Sequence, residues 1–359
     1  MSTCIIFGGS GFVGTHLARH FLSTGRFDHI HIADIRPTPL RDLPGISYSQ
    51  TDVRQPVFVG QSIQKPEWIF NLAAIHREPG HEPREYYATN LPGAKNVCDF
   101  ADRIKCDNMY FTSSISVYGP TTGPTDEDAP IRPVTAYGSS KHPAEVIHQL
   151  WRDAQPGRRL LISRPGVLYG PGDPGNIMRM IKAIKRGYFA YPGSPKIMKS
   201  YGYIHGLIAS IDFLIDAGHS EVVYNYAESP TEPLGLLVAH IKHHLGCKAR
   251  VVPVPLKVLL PLSKAVQVLF GDSNPIHPVR VTKAATPTHI VPQRLLDLGF
   301  DFKYSFLDSL RHWRSVAPED FGLPISEASV EPVGTSRVID DASPEDQKDL
   351  DTVGEDVRV

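Results

Sequence analysis

The 359-residue sequence predicts a doubly wound α/β fold, a parallel sheet with helices on both faces, followed by a smaller second domain. Three observations carry this. Strand-like and helix-like segments alternate through the first 165 residues, with connections too short for anything but parallel strands and crossover helices. A glycine triplet follows the first apolar run directly. The composition, 41% hydrophobic and 21% charged, is that of an ordinary globular chain.

Taken in order, apolar runs place strands at 4–7, 29–33, 46–49, 68–72, 109–112 and 160–163. Helical periodicity covers 11–23, 86–103 and 137–154 between several of them. Right-handed crossovers then wind the sheet in both directions. After Arg164 the texture changes to RPGVLYGPGDPG, dense in glycine and proline. Helices are expected at 206–217 and 234–245, and a strand at 222–226. The division is a Rossmann domain over 1–165 with later segments returning to it, a partly interwoven domain over 166–325, and a tail over 326–359. The tail holds ten acidic and three basic residues and few aromatics, and is expected to be disordered.

Removing the tail leaves a body with a charge of about +6, which suits an anionic small substrate or an anionic membrane surface. No Lys/Arg-rich run or zinc-finger spacing points to nucleic acid. The four cysteines form no CxxC pair and no metal-ligand spacing, so no metal is expected and a reduced cytoplasmic protein is the simplest reading. The N-terminus lacks the basic region of a signal peptide. The longest apolar stretch, 253–271, is broken by Lys257, Lys264, Pro255 and Pro261 and makes a poor membrane span.

Gly8, Gly11 and Gly14 form a GxxGxxG pattern that ends the first strand and opens the first helix through Phe12 and Val13. Glycine there permits a tight turn and close backbone approach to a pyrophosphate. The helix N-terminus adds N–H donors and positive dipole. Asp34, at the end of the second strand, is placed to accept from ribose hydroxyls and to repel a 2′-phosphate, which favours NAD over NADP. Arg36 pulls the other way. Asp52 and Val53 are placed to cover the adenine, with Asp52 as a helix cap the alternative. Asn71-Leu72-Ala73-Ala74 ends the fourth strand, and its small residues would let the backbone pass close to the cofactor.

Tyr137 and Lys141 form a YxxxK element on one helix face. An ammonium beside a phenol is expected to lower its pKa and make it a usable base. Ser113 and Ser114 end the fifth strand, where a doubly wound sheet holds its ligand crevice. Ser114 is expected to bond the reacting oxygen beside Tyr137, and Ser113 to serve a turn or cap.

Together, GGSGFVG, NLAA, TSSISVYG, YGSSK and RPGVLYGPG, in this order and spacing, resemble the extended short-chain dehydrogenase/reductase family, and within it the NAD-dependent epimerase/dehydratase group acting on nucleotide sugars. The resemblance covers about residues 3 to 315. It implies that Tyr137 is the catalytic acid/base, that Lys141 supports it and holds the nicotinamide ribose, and that Ser114 completes the set. It places Arg164 and Pro165 in the segment lining the nicotinamide pocket and gives Asn90 a structural or relay role. Homodimerisation through the helices at 86–103 and 137–154 is implied by the family only.

Two departures narrow the chemistry. Dehydratases of the group carry an acidic pair after the fifth strand, where this chain has Thr112-Ser113-Ser114. Epimerisation, or simple oxidation and reduction, is therefore implied rather than dehydration. Asp126 and Glu127 in the next loop read as solvated charges. Many epimerases also have an arginine for the substrate diphosphate where this chain has Tyr201, and Lys199 is the substitute cation, a point charge rather than a fork. NLAAIHREP and PGNIMRMIKAIKRG resemble a bacterial surface-polysaccharide branch, some of whose members act on N-acetylhexosamine joined by diphosphate to a polyprenol. His76, Arg77 and Asn176 are the further substrate-binding candidates. The stretch 253–271 then reads either as a buried helix or as an aliphatic surface touching membrane or polyprenol, at the inner membrane face. The expected reaction is C4 epimerisation through a 4-keto sugar. The alternative is an NAD(P)-dependent reductase or dehydrogenase of a 4-keto-deoxysugar nucleotide or a hydroxysteroid-like lipid. A non-catalytic NAD-binding regulator is disfavoured because Ser114, Tyr137 and Lys141 are all retained.

Overall fold

The computed structural model describes residues 2–59, 65–173, 175–271 and 277–323. The acidic tail and residues 324–325 of the second domain lie outside them. The described chain divides into two compact units. The first comprises Met1–Leu168, Gly202–Ser229 and Ile290–Lys303, and the second Tyr169–Tyr201, Pro230–His289 and Tyr304–Val359.

The first unit is built on β1 (Thr3–Phe7), β2 (His29–Asp34), β3 (Ile46–Gln50), β4 (Trp68–Asn71), β5 (Asn108–Thr112), β6 (Arg159–Pro165) and a last strand at Glu221–Tyr226, β10 in chain order. All pairings are parallel, in the order β10-β6-β5-β4-β1-β2-β3. The order reverses between β1 and β4, and such a reversal opens a crevice at the C-terminal strand ends. Phe7 pairs with Ala33 on one side and Asn71 on the other, so the ends of β1, β2 and β4 lie level.

Burial on both faces explains why these strands read as unbroken apolar runs. Ile5 and Phe7 point to a core shared with Val97, Phe100 and Ala101 of α2 (Pro83–Ile104) and Ala144 and Trp151 of α3 (Ala136–Asp153). On α1 (Phe12–Thr24), Leu17, Ala18 and Phe21 are buried, and the Phe21 ring meets Phe27 and Phe70. Thr135 caps α3, its hydroxyl accepting from Gly138 N at 3.2 Å. The chain leaves this unit through β7 (Val167–Tyr169) and returns through β9 (Tyr201–Tyr203) into α5 (Ile204–Ala217).

The second unit holds α4 (Asn176–Lys185), β8 (Tyr188–Pro192), α6 (Leu234–Leu245), β11 (Arg250–Val254), α7 (Leu256–Phe270), α8 (Pro278–Ala285) and α10 (Phe306–Val316). β8 and β11 pair in parallel. α10 opens on a reciprocal capping box between Ser305 and Asp308, and its Trp313 is fully buried with Nε1 donating to Asp320 at 2.7 Å. Among the described residues no helix is long and apolar enough to cross a membrane.

Candidate active site

The glycine loop is held by backbone contacts that exclude side chains. Gly8 lies at φ +75°, and a Cβ there would come within 2.8 Å of the Ala73 nitrogen. A Cβ on Gly14 would lie 2.5 Å from the Gly9 Cα. Leu72 N donates to Phe7 O at 2.9 Å, so the backbone of Leu72 and Ala73, just past β4, lies against the loop. The N-cap of α1 is Gly11, which supplies no capping side chain, and the first turn carries no acid. Its N–H groups therefore suit an external anion.

Asp34 is buried and fastens this loop to β2. Its carboxylate accepts from Ser10 N at 3.0 Å and from Arg36 N at 2.9 Å, and Ser10 Oγ donates to Arg36 O at 2.9 Å. Asp52 is gripped by Arg54 through Nε and Nη2 and accepts from Arg54 N at 3.0 Å. It closes a turn rather than capping a helix. Val53 O accepts from Asn96 on α2 at 2.8 Å, and Val53 packs against Gly93. A glycine loop with no room for Cβ atoms at Gly8 and Gly14, an uncapped helix start and a carboxylate at the end of β2 fit NAD.

Ser114, Tyr137 and Lys141 come together beside β5. Ser114 caps a 3-10 turn, Ile115–Val117, accepting from Ser116 N at 3.1 Å and donating to Ser116 Oγ at 3.0 Å, and its hydroxyl is near enough to the Tyr137 phenol to lower it. The cap expected of Ser113 is thus supplied by Ser114. Lys141 is buried with Nζ 4.1 Å from the Phe111 ring centre. Burial pushes the Tyr137 phenol up to about 12, against the Ser114 bond, with Glu78 and Tyr86 adding to the rise. Burial also pulls the Lys141 ammonium down to about 7, against the attraction of Glu145. The expectation that Lys141 lowers the phenol is thus corrected: in the protein alone Ser114 does so, and desolvation outweighs it.

Behind the lysine runs a buried network that the sequence reading missed. Glu145, one turn after Lys141, receives Arg164 through two bonds of 2.9 and 2.8 Å; against the rise from burial, His142 and Arg164 hold it down at about 2. Arg164 also donates to Tyr118 Oη at 2.7 Å, and Tyr118 donates to Asn225 at 2.9 Å. Asn225 N then donates to Glu127 at 2.7 Å, and Arg294 N to its other oxygen at 3.2 Å. Glu127 is therefore not the solvated charge expected of it; burial raises its carboxyl. The four-residue spacing of Tyr137, Lys141 and Glu145 was a visible signal for a shared helix face. Pro165 ends β6, paired with Tyr226.

Asn90 clamps the loop after β4, accepting from Ile75 N at 2.9 Å and donating to Ile75 O at 3.2 Å. The loop carries His76 and Arg77, both exposed, and Glu78, which accepts from Tyr137 N at 3.4 Å. Crowding of the ring and the charges of Arg77, Lys141 and Arg36 hold His76 below its ordinary value, against a backbone bond to Ala74. Asn176 and Lys199 lie in the second unit. Asn176 is exposed and accepts from Arg179 at 2.7 Å. Lys199 is buried, its ammonium donating to Thr286 O and, at 2.7 Å, to Lys283 O, which leaves one of three donors for any other partner.

Residues 4–227 match the family described as NAD dependent epimerase/dehydratase. The chain belongs to that family. An N-acetyl-alpha-D-glucosaminyl-diphospho-ditrans,octacis-undecaprenol 4-epimerase of Escherichia coli O157:H7 is 30% identical over 317 residues, covering 85% of this chain and 92% of the relative. A UDP-glucose 4-epimerase of Lactobacillus helveticus is 26% identical over 48% of this chain and 54% of its own. Among solved structures, the UDP-glucuronic acid 4-epimerase of Bacillus cereus in complex with UDP-glucuronic acid and NAD overlays with a TM-score of 0.67 at 19% identity, covering 87% of this chain and 97% of the other. As a member of the epimerase/dehydratase family the protein is an NAD-dependent enzyme on a Rossmann sheet.

Proposed function

We propose that the protein epimerises C4 of a hexose or N-acetylhexosamine carried on a diphosphate, through a transient 4-keto sugar. The observation that carries this is the Ser114–Tyr137–Lys141 cluster on a strand end that lacks the acidic pair used for dehydration. The 30% identical relative favours a polyprenyl diphosphate over a nucleotide as the carrier.

The glycine loop, Asp34 and Lys141 would hold NAD, which when bound supplies the hydride acceptor and donor. Tyr137, as phenolate, takes the proton from the C4 hydroxyl and returns it to the same oxygen after the sugar has turned over. Ser114 fixes the phenol and the sugar oxygen in one line. A phenol near 12 is protonated at neutral pH, so its action as a base draws on positive charge brought by NAD+. His76 and Arg77, on the loop after β4, flank the sugar. Arg164 and Pro165 support the nicotinamide side. Exposed Val146 and Leu150, one turn apart on α3, support a homodimer through α2 and α3.

The test is incubation with UDP-glucose, UDP-N-acetylglucosamine and a short polyprenyl-diphospho-N-acetylglucosamine, without added NAD, read by proton NMR. Interconversion of C4 epimers supports the reading and identifies the carrier. Turnover only with stoichiometric reduced or oxidised nicotinamide overturns it in favour of a reductase or dehydrogenase.

A further inference from the structure

Helix α7 breaks the usual rule for an apolar helix. Of its fifteen residues only Ser263 is buried. Val268, Leu269 and Phe270 are 86%, 75% and 73% exposed, and Val258 and Leu262 are more than half exposed. The stretch is therefore not the buried helix that its composition also allowed.

The exposure has a pattern. Val258, Leu262, Ala265 and Leu269 follow one another at steps of four, three and four, and all are exposed. That spacing makes one continuous stripe along a helix. Lys257, Pro261, Lys264 and Val268 repeat the same steps one residue earlier and form the adjoining stripe, also exposed. The outward face thus pairs an aliphatic ridge with two lysines whose stems can lie along it while their ammonium groups reach outward. Single exposed apolar residues are ordinary, but a ridge running the length of a helix is not.

Charge says what covers it. Residues 234–285, from the start of α6 to the end of α8, contain seven Lys/Arg and one acidic residue, in a chain whose totals are 37 bases and 38 acids. Lys248, Arg250, Lys257 and Lys264 of this segment are exposed. A second copy would bring the same positive charge to the same face. A surface combining negative headgroups with an apolar interior matches both features. The helix is too short to cross a bilayer, which needs about 20 apolar residues.

We infer that α7 is a docking helix that lies in the surface of an anionic membrane, its Val258–Leu269 ridge and Phe270 entering the acyl boundary while Lys257 and Lys264 meet lipid phosphates. This goes beyond the proposed reaction and does not depend on it, because the surface is defined by side chains of the second unit alone.

The experiment is density-gradient flotation of the full-length protein with vesicles of phosphatidylcholine containing phosphatidylglycerol, and with phosphatidylcholine alone. The expected result is co-flotation with the anionic vesicles at low salt, and at least ~10-fold less with neutral vesicles or at high salt. Leu269→Asp with Phe270→Asp, and separately Lys257→Glu with Lys264→Glu, should each weaken association by at least ~10-fold. An unchanged melting temperature and NAD content would show that these surface variants fold. Absence of wild-type association at low salt overturns the inference, and so does flotation undiminished by the Leu269→Asp, Phe270→Asp pair. Conversion of a dimer to a monomer by that pair, with no lipid binding in the wild type, would assign the face to a second copy instead.

Discussion

Asn90 on α2 donates to Ser140 on α3 at 2.8 Å, and Ser140 Oγ in turn donates to the carbonyl of Tyr137 at 2.8 Å. With its two bonds to Ile75, this one buried amide joins the loop after β4 to the helical turn that carries Tyr137. Asn90→Ala strands the Ile75 N–H and C=O in the interior. The expected cost is about 2–3 kcal/mol, read from urea denaturation. A midpoint equal to that of the wild type would remove Asn90 from this role.

Tyr137→Phe should lower turnover by at least ~100-fold, the low end for losing a general acid/base. NAD content, measured by nicotinamide absorbance after denaturation, should stay unchanged. Near-normal turnover would refute the assignment of the phenol.

Lys141 carries opposite signs for stability and activity. Its folded pKa of about 7 lies below the ordinary 10.5, so the unfolded chain binds the proton more tightly. The cost to folding is fully present below about pH 7 and fades as pH rises toward 10.5. Lys141→Met, which leaves the Glu145–Arg164 pair intact, should melt higher than wild type at about pH 6 and lose that advantage near about pH 10. Turnover should fall by at least ~100-fold. An advantage that is the same at both pH values would contradict the burial argument.

Glu145 works in the other direction. Its folded value of about 2 lies below the ordinary 4.5, so its contribution is complete above about 4.5 and lost as pH falls through about 2. Glu145→Gln leaves the Arg164 guanidinium without a counter-charge and should cost about 3–5 kcal/mol at neutral pH. The gap between the two proteins should close as the buffer is acidified across that window. Denaturant titrations at several pH values would check this.

Asp34→Ala should release the glycine loop from β2 and weaken NAD retention by at least ~10-fold, with a relative gain for NADP. Equilibrium dialysis against both cofactors would measure it. Unaltered preference would mean that Asp34 only braces the loop.

The Rossmann half was readable because its strands are buried on both faces. Runs such as Cys4–Phe7 can hardly be anything else, and Gly8 and Gly14 mark backbone approaches that no side chain survives. Partner choice was not readable. Glu145 and Arg164 lie nineteen residues apart on different elements, and only the packing of α3 on β6 makes them a pair. The opposite error befell Glu127, whose loop composition hides a carboxylate bridging two backbone nitrogens. The second unit was harder still, because its described helices are short, none longer than the fifteen residues of α7. Yet the S-x-x-D box at Ser305 was in plain view and marks the start of α10.

The closing of the parallel sheet by β10 has a consequence for synthesis. β6 waits for a partner that emerges from the ribosome more than fifty residues later, after an entire excursion into the other unit. Until then Leu160, Leu161 and Ile162 form an open apolar edge, the kind of template on which nascent chains stick to one another. A fragment cut after the first 168 residues would keep that edge permanently. The nucleotide half of this enzyme should therefore resist excision as a well-behaved piece, and its yield in cells should depend on how quickly the remainder of the chain follows.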